Sequence, residues 1–188
     1  MPMDSLWRTM LWKQFGAAID MLDNALVARP DSLWRQRLWR DPSDQSLPPE
    51  LAEFWYVAYH ALFWLDLYLT GSVEGFAPPA PFTLEELDPA GVVPERPYSR
   101  DELRTYLAYA RQKCRTAIDT LTDERARQPV NITFSWAKGQ PVSYVELLLY
   151  NMHHVREHTA QLSLFLGQHS VQADHDSVAR AKDDPGGG

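Results

Sequence analysis

The chain has 188 residues, a formal net charge of -7 and an apolar fraction of 45%, which suits one soluble globular domain with a real hydrophobic core. An acidic chain without a lysine- and arginine-rich run is poorly matched to a phosphate backbone, so nucleic-acid binding is not expected. The single cysteine, Cys114, excludes an internal disulfide and a paired-cysteine metal knuckle. It lies in an apolar stripe and reads as a small buried hydrophobe.

The first amphipathic segment runs from about Ser5 to Ala28, with Leu6, Met10, Phe15, Ile19, Leu22 and Leu26 at three- to five-residue steps. Arg29–Pro30 ends it. A short helix around Leu33, Trp34 and Leu38 and a polar, proline-bearing loop follow. A second long helix is expected from Pro49 to Leu69, apolar on most of its circumference and therefore buried on several sides; Gly71 stops it. Residues 71–98 are rich in proline and read as an ordered excursion over one end of the fold. Phe76, Phe82 and Leu84 are its expected anchors, and Thr83 and Glu86 stand at capping-box spacing.

Ser99 and Glu102 announce a third helix whose stripe runs through Leu103, Tyr106, Leu107, Ala110, Cys114 and Ile118 to Leu121. Residues 131–143 interrupt the helices: Ile132, Phe134 and Trp136 alternate with polar residues, and Lys138–Gly139 reads as a turn. Ser143 and Glu146 open a fourth helix, which is expected to close at Gly167. Beyond Gln168 the apolar pattern collapses, so 1–168 is read as a single domain and 169–188 as a flexible tail, with His169 and His175 as surface residues. Four long helices and no convincing strand pattern predict an all-α four-helix bundle. No segment offers about 20 continuous apolar residues, so no membrane span is predicted. The opening MPMDSLWRTM carries no signal-peptide pattern, and a cytoplasmic location is expected.

The stretch YNMHHVREHTAQL, Tyr150 to Leu162, holds three of the six histidines. On a helix His154 and His158 are one turn apart on one face, and Gln161 continues that face. His153 is rotated by about 100°. Two imidazoles at this spacing can converge on one ion, but a useful site needs a third ligand. His60, set mid-helix among aromatic and aliphatic neighbours, is the candidate: a histidine there needs partners for both ring nitrogens, and a metal plus one hydrogen bond would supply them. The competing readings are a core histidine bonded to a tyrosine or carboxylate, and a surface pair without a ligand. Tyr56, Tyr59, Trp64 and Glu157 are the nearest candidates for supporting or substrate contacts, and Tyr56 and Trp64 share the His60 face.

The run WYVAYHALFWLDLYL, followed after a long interval by HVREHTAQL, resembles the DinB-like (DinB/YfiT-like) family of metal-binding four-helix bundles. The resemblance spans residues 5 to 167. It implies that His60, His154 and His158 are metal ligands, followed by Gln161, and that the helices run up-up-down-down. It also implies one divalent metal ion, often zinc or nickel, and frequent homodimers. Many members carry a further histidine just before the last ligand, where this chain has Glu157. The activities it implies are thiol-dependent transfer or isomerisation using a low-molecular-weight thiol, or hydrolysis of a small molecule. The alternative from a different class is a non-catalytic binding or structural protein in which the ion fastens two helices. A fourth protein ligand would favour that alternative, and Glu157 and His153 are the residues placed to offer one.

Overall fold

The computed structural model describes residues 5–39, 48–134, 137–172 and 180–182. Among these it is all-α, with no sheet and only isolated bridges such as Arg37 with Glu53. The four long helices are α1 (Ser5–Ala28), α2 (Phe54–Thr70), α3 (Arg100–Asp119) and α5 (Tyr144–Gln168). A fifth, α4 (Asp123–Arg127), amends the expectation of a strict four-helix set. Its signals are a Thr122 cap that accepts from the Arg125 amide, acids in its first turn and arginines in its last.

Each helix boundary has a local cause. Ser99 and Ser143 form reciprocal capping boxes with Glu102 and Glu146. Gly71 ends α2 in the left-handed region at φ 77°, a conformation that glycine alone adopts freely. The second helix starts later than expected. Pro49–Ala52 is a 3₁₀ turn, and Glu53 is extended before α2 begins. At the far end α5 runs through Gly167 to Gln168 rather than stopping there.

The core is continuous. From α1 it takes Trp12, Phe15, Ile19, Leu22 and Leu26, whereas Leu6 and Met10 are exposed, so the stripe proposed for that helix is right only beyond its first two turns. In α2, fourteen of seventeen residues are buried, as a helix that is apolar all round requires. Cys114 is fully buried in the α3 stripe.

Helix α2 packs on α3 and α5, and α1 packs on the same two, so α1 and α2 face each other across the diagonal. Hydrogen bonds and ring contacts fix the directions. Asp20 meets Arg111, Asp23 meets Arg104, and the Arg29 carbonyl accepts from Arg100, so α1 and α3 are antiparallel. Tyr98 packs on Trp55 and Tyr59 while Lys113 reaches Asp66 and Thr70, so α2 and α3 are parallel. Tyr144 bonds the Leu69 carbonyl and Phe54 packs on Phe165, so α2 and α5 are antiparallel. The order is therefore up-down-down-up. This corrects the expected up-up-down-down arrangement: the crossover falls between α2 and α3.

That crossover positions the site. Two parallel neighbours require a connection that climbs the whole length of α2, about 25 Å for seventeen residues. Residues 71–99 make the climb along the flank of α2. Phe76 and Phe82 are buried, and Phe82 stacks on Tyr59 and Tyr106. Leu84 is exposed and is not the anchor it was expected to be. Of the segment read as a tail, His169 is held by the Phe165 carbonyl at 2.9 Å. Ala181 and Lys182 lie against α1, where their amides donate to the Lys13 carbonyl and to Asp20. His175 and Trp136 lie outside the described residues.

Candidate metal centre

Three imidazoles meet at the seam of α2 and α5. His154 and His158 come from one face of α5, one turn apart, and His60 comes from the facing turn of α2. Nε2 of His154 is 3.1 Å from Nε2 of His158 and 3.3 Å from Nε2 of His60. Three nitrogens bound to one ion at about 2.0–2.1 Å in a tetrahedral arrangement would be about 3.3 Å apart. The spacing thus fits a small divalent cation. Among the described residues this is the one group of three or more histidine, cysteine or carboxylate side chains able to hold a metal.

The opposite ring nitrogens explain why the Nε2 atoms point inward. His158 Nδ1 is 2.9 Å from the Gln161 side-chain oxygen, an acceptor, so the proton sits on Nδ1 and the Nε2 lone pair is free. His60 Nδ1 is 2.8 Å from Oε2 of Glu86, which fixes the same tautomer. The Nδ1 atom of His154 is buried and has no hydrogen-bond partner among the described residues. Burial, reinforced by the neighbouring imidazoles, pushes His154 down to about 2. Burial likewise lowers His158. Both rings are therefore neutral at physiological pH, the form that ligates a cation.

Glu86 was missed as a site residue. Its sequence context suggested a capping box with Thr83; instead it lies in the 3₁₀ turn Glu85–Leu87, where no side-chain cap forms. Its carboxylate is only 4% exposed and accepts from Trp64 Nε1 at 2.7 Å as well as from His60. Burial by itself would raise its pKa, but the hydrogen bonds from His60 and Trp64, with the polar Tyr56 hydroxyl nearby, outweigh that and hold it below the usual carboxylate range. No local sequence signal links position 86 to position 60; the link exists because the crossover passes that turn of α2.

The other expected site residues divide. Tyr56 is buried beside Glu86, and burial, reinforced by that carboxylate, raises its pKa. Trp64 is half-buried, with its ring 6.1 Å from that of His60. Gln161 orients His158. Tyr59 is fully buried and turns its hydroxyl to the Thr83 carbonyl, 3.3 Å away, so it supports the crossover rather than the histidines. Glu157 and His153 are exposed and stand outside the three-histidine group. Glu157 acts on His158 only through its charge. The site also has an aromatic wall that spacing did not reveal. Tyr68 and Tyr150 pack on His154 with ring centroids 5.9 and 6.4 Å away, and Phe134 packs on both tyrosines. His60 keeps 30% of its side chain exposed, so the cluster opens to solvent.

No helix among the described residues is long and apolar enough to cross a membrane. Searches of the curated proteins and of the solved structures gave no match. A family model described as the DinB superfamily matches residues 14–162, a span that contains all five helices in whole or large part and the three clustered histidines. By that match, and with a histidine cluster able to hold a metal at the α2–α5 seam, the chain belongs to the DinB superfamily.

Proposed function

We propose that the protein is a divalent-metal-dependent enzyme acting on a small molecule, with His60, His154 and His158 as the protein ligands of one zinc or nickel ion. The observation that carries this reading is the convergence of three Nε2 atoms, that of His154 lying 3.1 Å from His158 and 3.3 Å from His60, with the proton of the latter two held on the far nitrogen by Gln161 and Glu86. An ion in such a setting supplies Lewis acidity at a coordination position left for water, substrate or a low-molecular-weight thiol.

The chain's own residues do the rest. Glu86 and Gln161 fix the ring orientations, and Trp64 fixes Glu86. The walls formed by Trp64, Tyr68 and Tyr150 favour an apolar or planar body beside the imidazoles. The internal thiol is not available for transfer chemistry, because Cys114 is fully buried and burial pushes its pKa well up. A thiol nucleophile would therefore come from solution. The competing structural role requires a closed shell of four protein ligands, and among the described residues the group has three.

Metal-edge X-ray absorption on the zinc-loaded protein, with and without a small thiol, tests the reading. We expect three imidazole nitrogens plus a light atom from solvent, and a sulfur at about 2.3 Å when the thiol is added and thiol chemistry applies. A shell of four protein atoms that does not respond to any small ligand would overturn the enzyme reading in favour of the structural one.

A further inference from the structure

The crossover 71–99 meets α2 through apolar and polar contacts. Phe82 and Tyr98 pack on Tyr59, whose hydroxyl donates to the Thr83 carbonyl. The contact that reaches the histidines is a buried carboxylate. Tyr56, His60 and Trp64 stand on three successive turns of one face of α2; His60 and Trp64 donate to Glu86 Oε2, and Tyr56 lies beside the carboxylate. Of the two donors, the Trp64 indole only supports the carboxylate, whereas His60 has its far nitrogen in the triad.

We infer that Glu86 is a positioning residue that couples the docking of the turn 83–87 to metal occupancy of the histidine triad. The inference rests on the reading of the triad as a metal site. An ionised carboxylate only accepts hydrogen bonds, so it holds the His60 proton on Nδ1 and leaves Nε2 as a donor of its lone pair. Drawing that lone pair onto a cation makes the Nδ1–H a stronger hydrogen-bond donor, and the bond to Glu86 tightens. The coupling is reciprocal by thermodynamic linkage: whatever the docked turn adds to metal affinity, the metal returns to docking of the turn. The geometry supports this because the carboxylate is buried, where its charge is poorly screened, and because Glu86 ties the short turn Glu85–Leu87 to His60 and Trp64 of α2, next to the Tyr59 bond to the Thr83 carbonyl.

The test uses the full chain as wild type, Glu86→Gln, Glu86→Ala and His154→Ala, each checked for helix content by circular dichroism. The zinc dissociation constant is measured by competition with a chromogenic chelator. Amide hydrogen exchange of residues 83–87 is followed with and without zinc. We expect Glu86→Gln, which keeps an acceptor but loses the charge, to weaken zinc binding about 10-fold, and Glu86→Ala about 100-fold. Zinc should slow exchange at 83–87 in the wild type and have little effect in Glu86→Ala. If the alanine variant does not fold, the glutamine variant still decides, because its amide oxygen can replace the acceptor. Wild-type zinc affinity in Glu86→Gln, within twofold, together with exchange at 83–87 that ignores zinc in the wild type, overturns the coupling. A wild type that binds no zinc, or that binds it no better than His154→Ala, overturns the metal reading itself.

Discussion

Nε2 of His154 lies 3.1 Å from Nε2 of His158 across one turn of α5, while His153, the immediate neighbour of His154, points away and is exposed. A residue one position along a helix is rotated by about 100°, so three histidines in sequence reduce to two in the site. His153→Ala should therefore keep about one zinc per chain. His60→Ala and His154→Ala should each lose most of it, with affinity lower by at least 100-fold, since two imidazoles make a weak site. Elemental analysis after dialysis decides this. Metal lost on substitution of His153 but retained on substitution of His60 would mean that a different face of α5 carries the ion.

The histidine triad was legible in the sequence because both of its signals are local. The i, i+4 spacing of His154 and His158 puts two rings on one face, and a lone His60 in an apolar helix needs partners. Glu86 was illegible for the converse reason. Its nearest sequence signal, three residues after Thr83, argued for a cap, and its true partner is 26 residues away. Long helices were easily read from their stripes and capping boxes. Their order was not, because long connections are compatible with several topologies, and the direction of α3 is set by tertiary pairs such as Asp20 with Arg111 and Asp66 with Lys113. The stripe on α1 failed at Leu6 and Met10 for a related reason: periodicity marks one face, but the neighbours decide how far along the helix that face is covered.

Between α2 and α3 a charge is buried inside the bundle. Asp66 is fully buried, Tyr106 donates to its Oδ2 at 2.9 Å, and the Lys113 ammonium donates to its Oδ1 and to Thr70. Removing one partner of such a pair leaves an uncompensated charge in the core. Lys113→Met should destabilise the protein by about 3 kcal/mol, and the double variant Asp66→Asn with Lys113→Met should recover part of that loss. Urea unfolding of the three proteins measures both values. A loss below about 0.5 kcal/mol in Lys113→Met would show that solvent, not Lys113, satisfies the carboxylate.

Cys114 provides a check on the source of any thiol chemistry. Its side chain is fully buried, and burial disfavours the thiolate. A chromogenic disulfide reagent should leave the native protein unlabelled over hours and label one site per chain in denaturant. Any thiol-dependent activity should need added thiol and survive Cys114→Ala, a change that trims a small core side chain. Rapid labelling of the native chain, or activity that vanishes with Cys114 at unchanged helix content, would assign the thiol to the protein instead.

Helix α3 begins at a carboxylate whose ionisation can be read in stability. Glu102 accepts from both terminal nitrogens of Arg96, at 3.0 and 2.6 Å, and from the Ser99 amide at 2.7 Å, while the Ser99 hydroxyl accepts from the Glu102 amide. The Arg96 guanidinium is the largest cause that lowers the Glu102 pKa, and with the Ser99 bonds it outweighs the opposing effect of burial. The result is about 2, against an ordinary 4.5. The sign follows from proton counting. Between those two values the unfolded chain binds a proton that the folded chain refuses, so folding is disfavoured progressively as the pH falls. The contribution is complete above about 4.5 and is gone once the pH has dropped through about 2. The site is largely solvent-exposed and screened, so the effect is modest: Glu102→Gln should lower the Tm at pH 7 by about 2 °C. The gap between variant and wild type should hold from pH 7 to pH 5, narrow below that and close near pH 2. Differential scanning calorimetry in low-salt buffers across this range measures the gap directly, and a repeat at 1 M salt should shrink it at every pH above 4.5. A gap of constant size from pH 7 down to pH 2.5 would show that Glu102 acts at the helix start through its shape and hydrogen bonds alone, with no contribution from its charge.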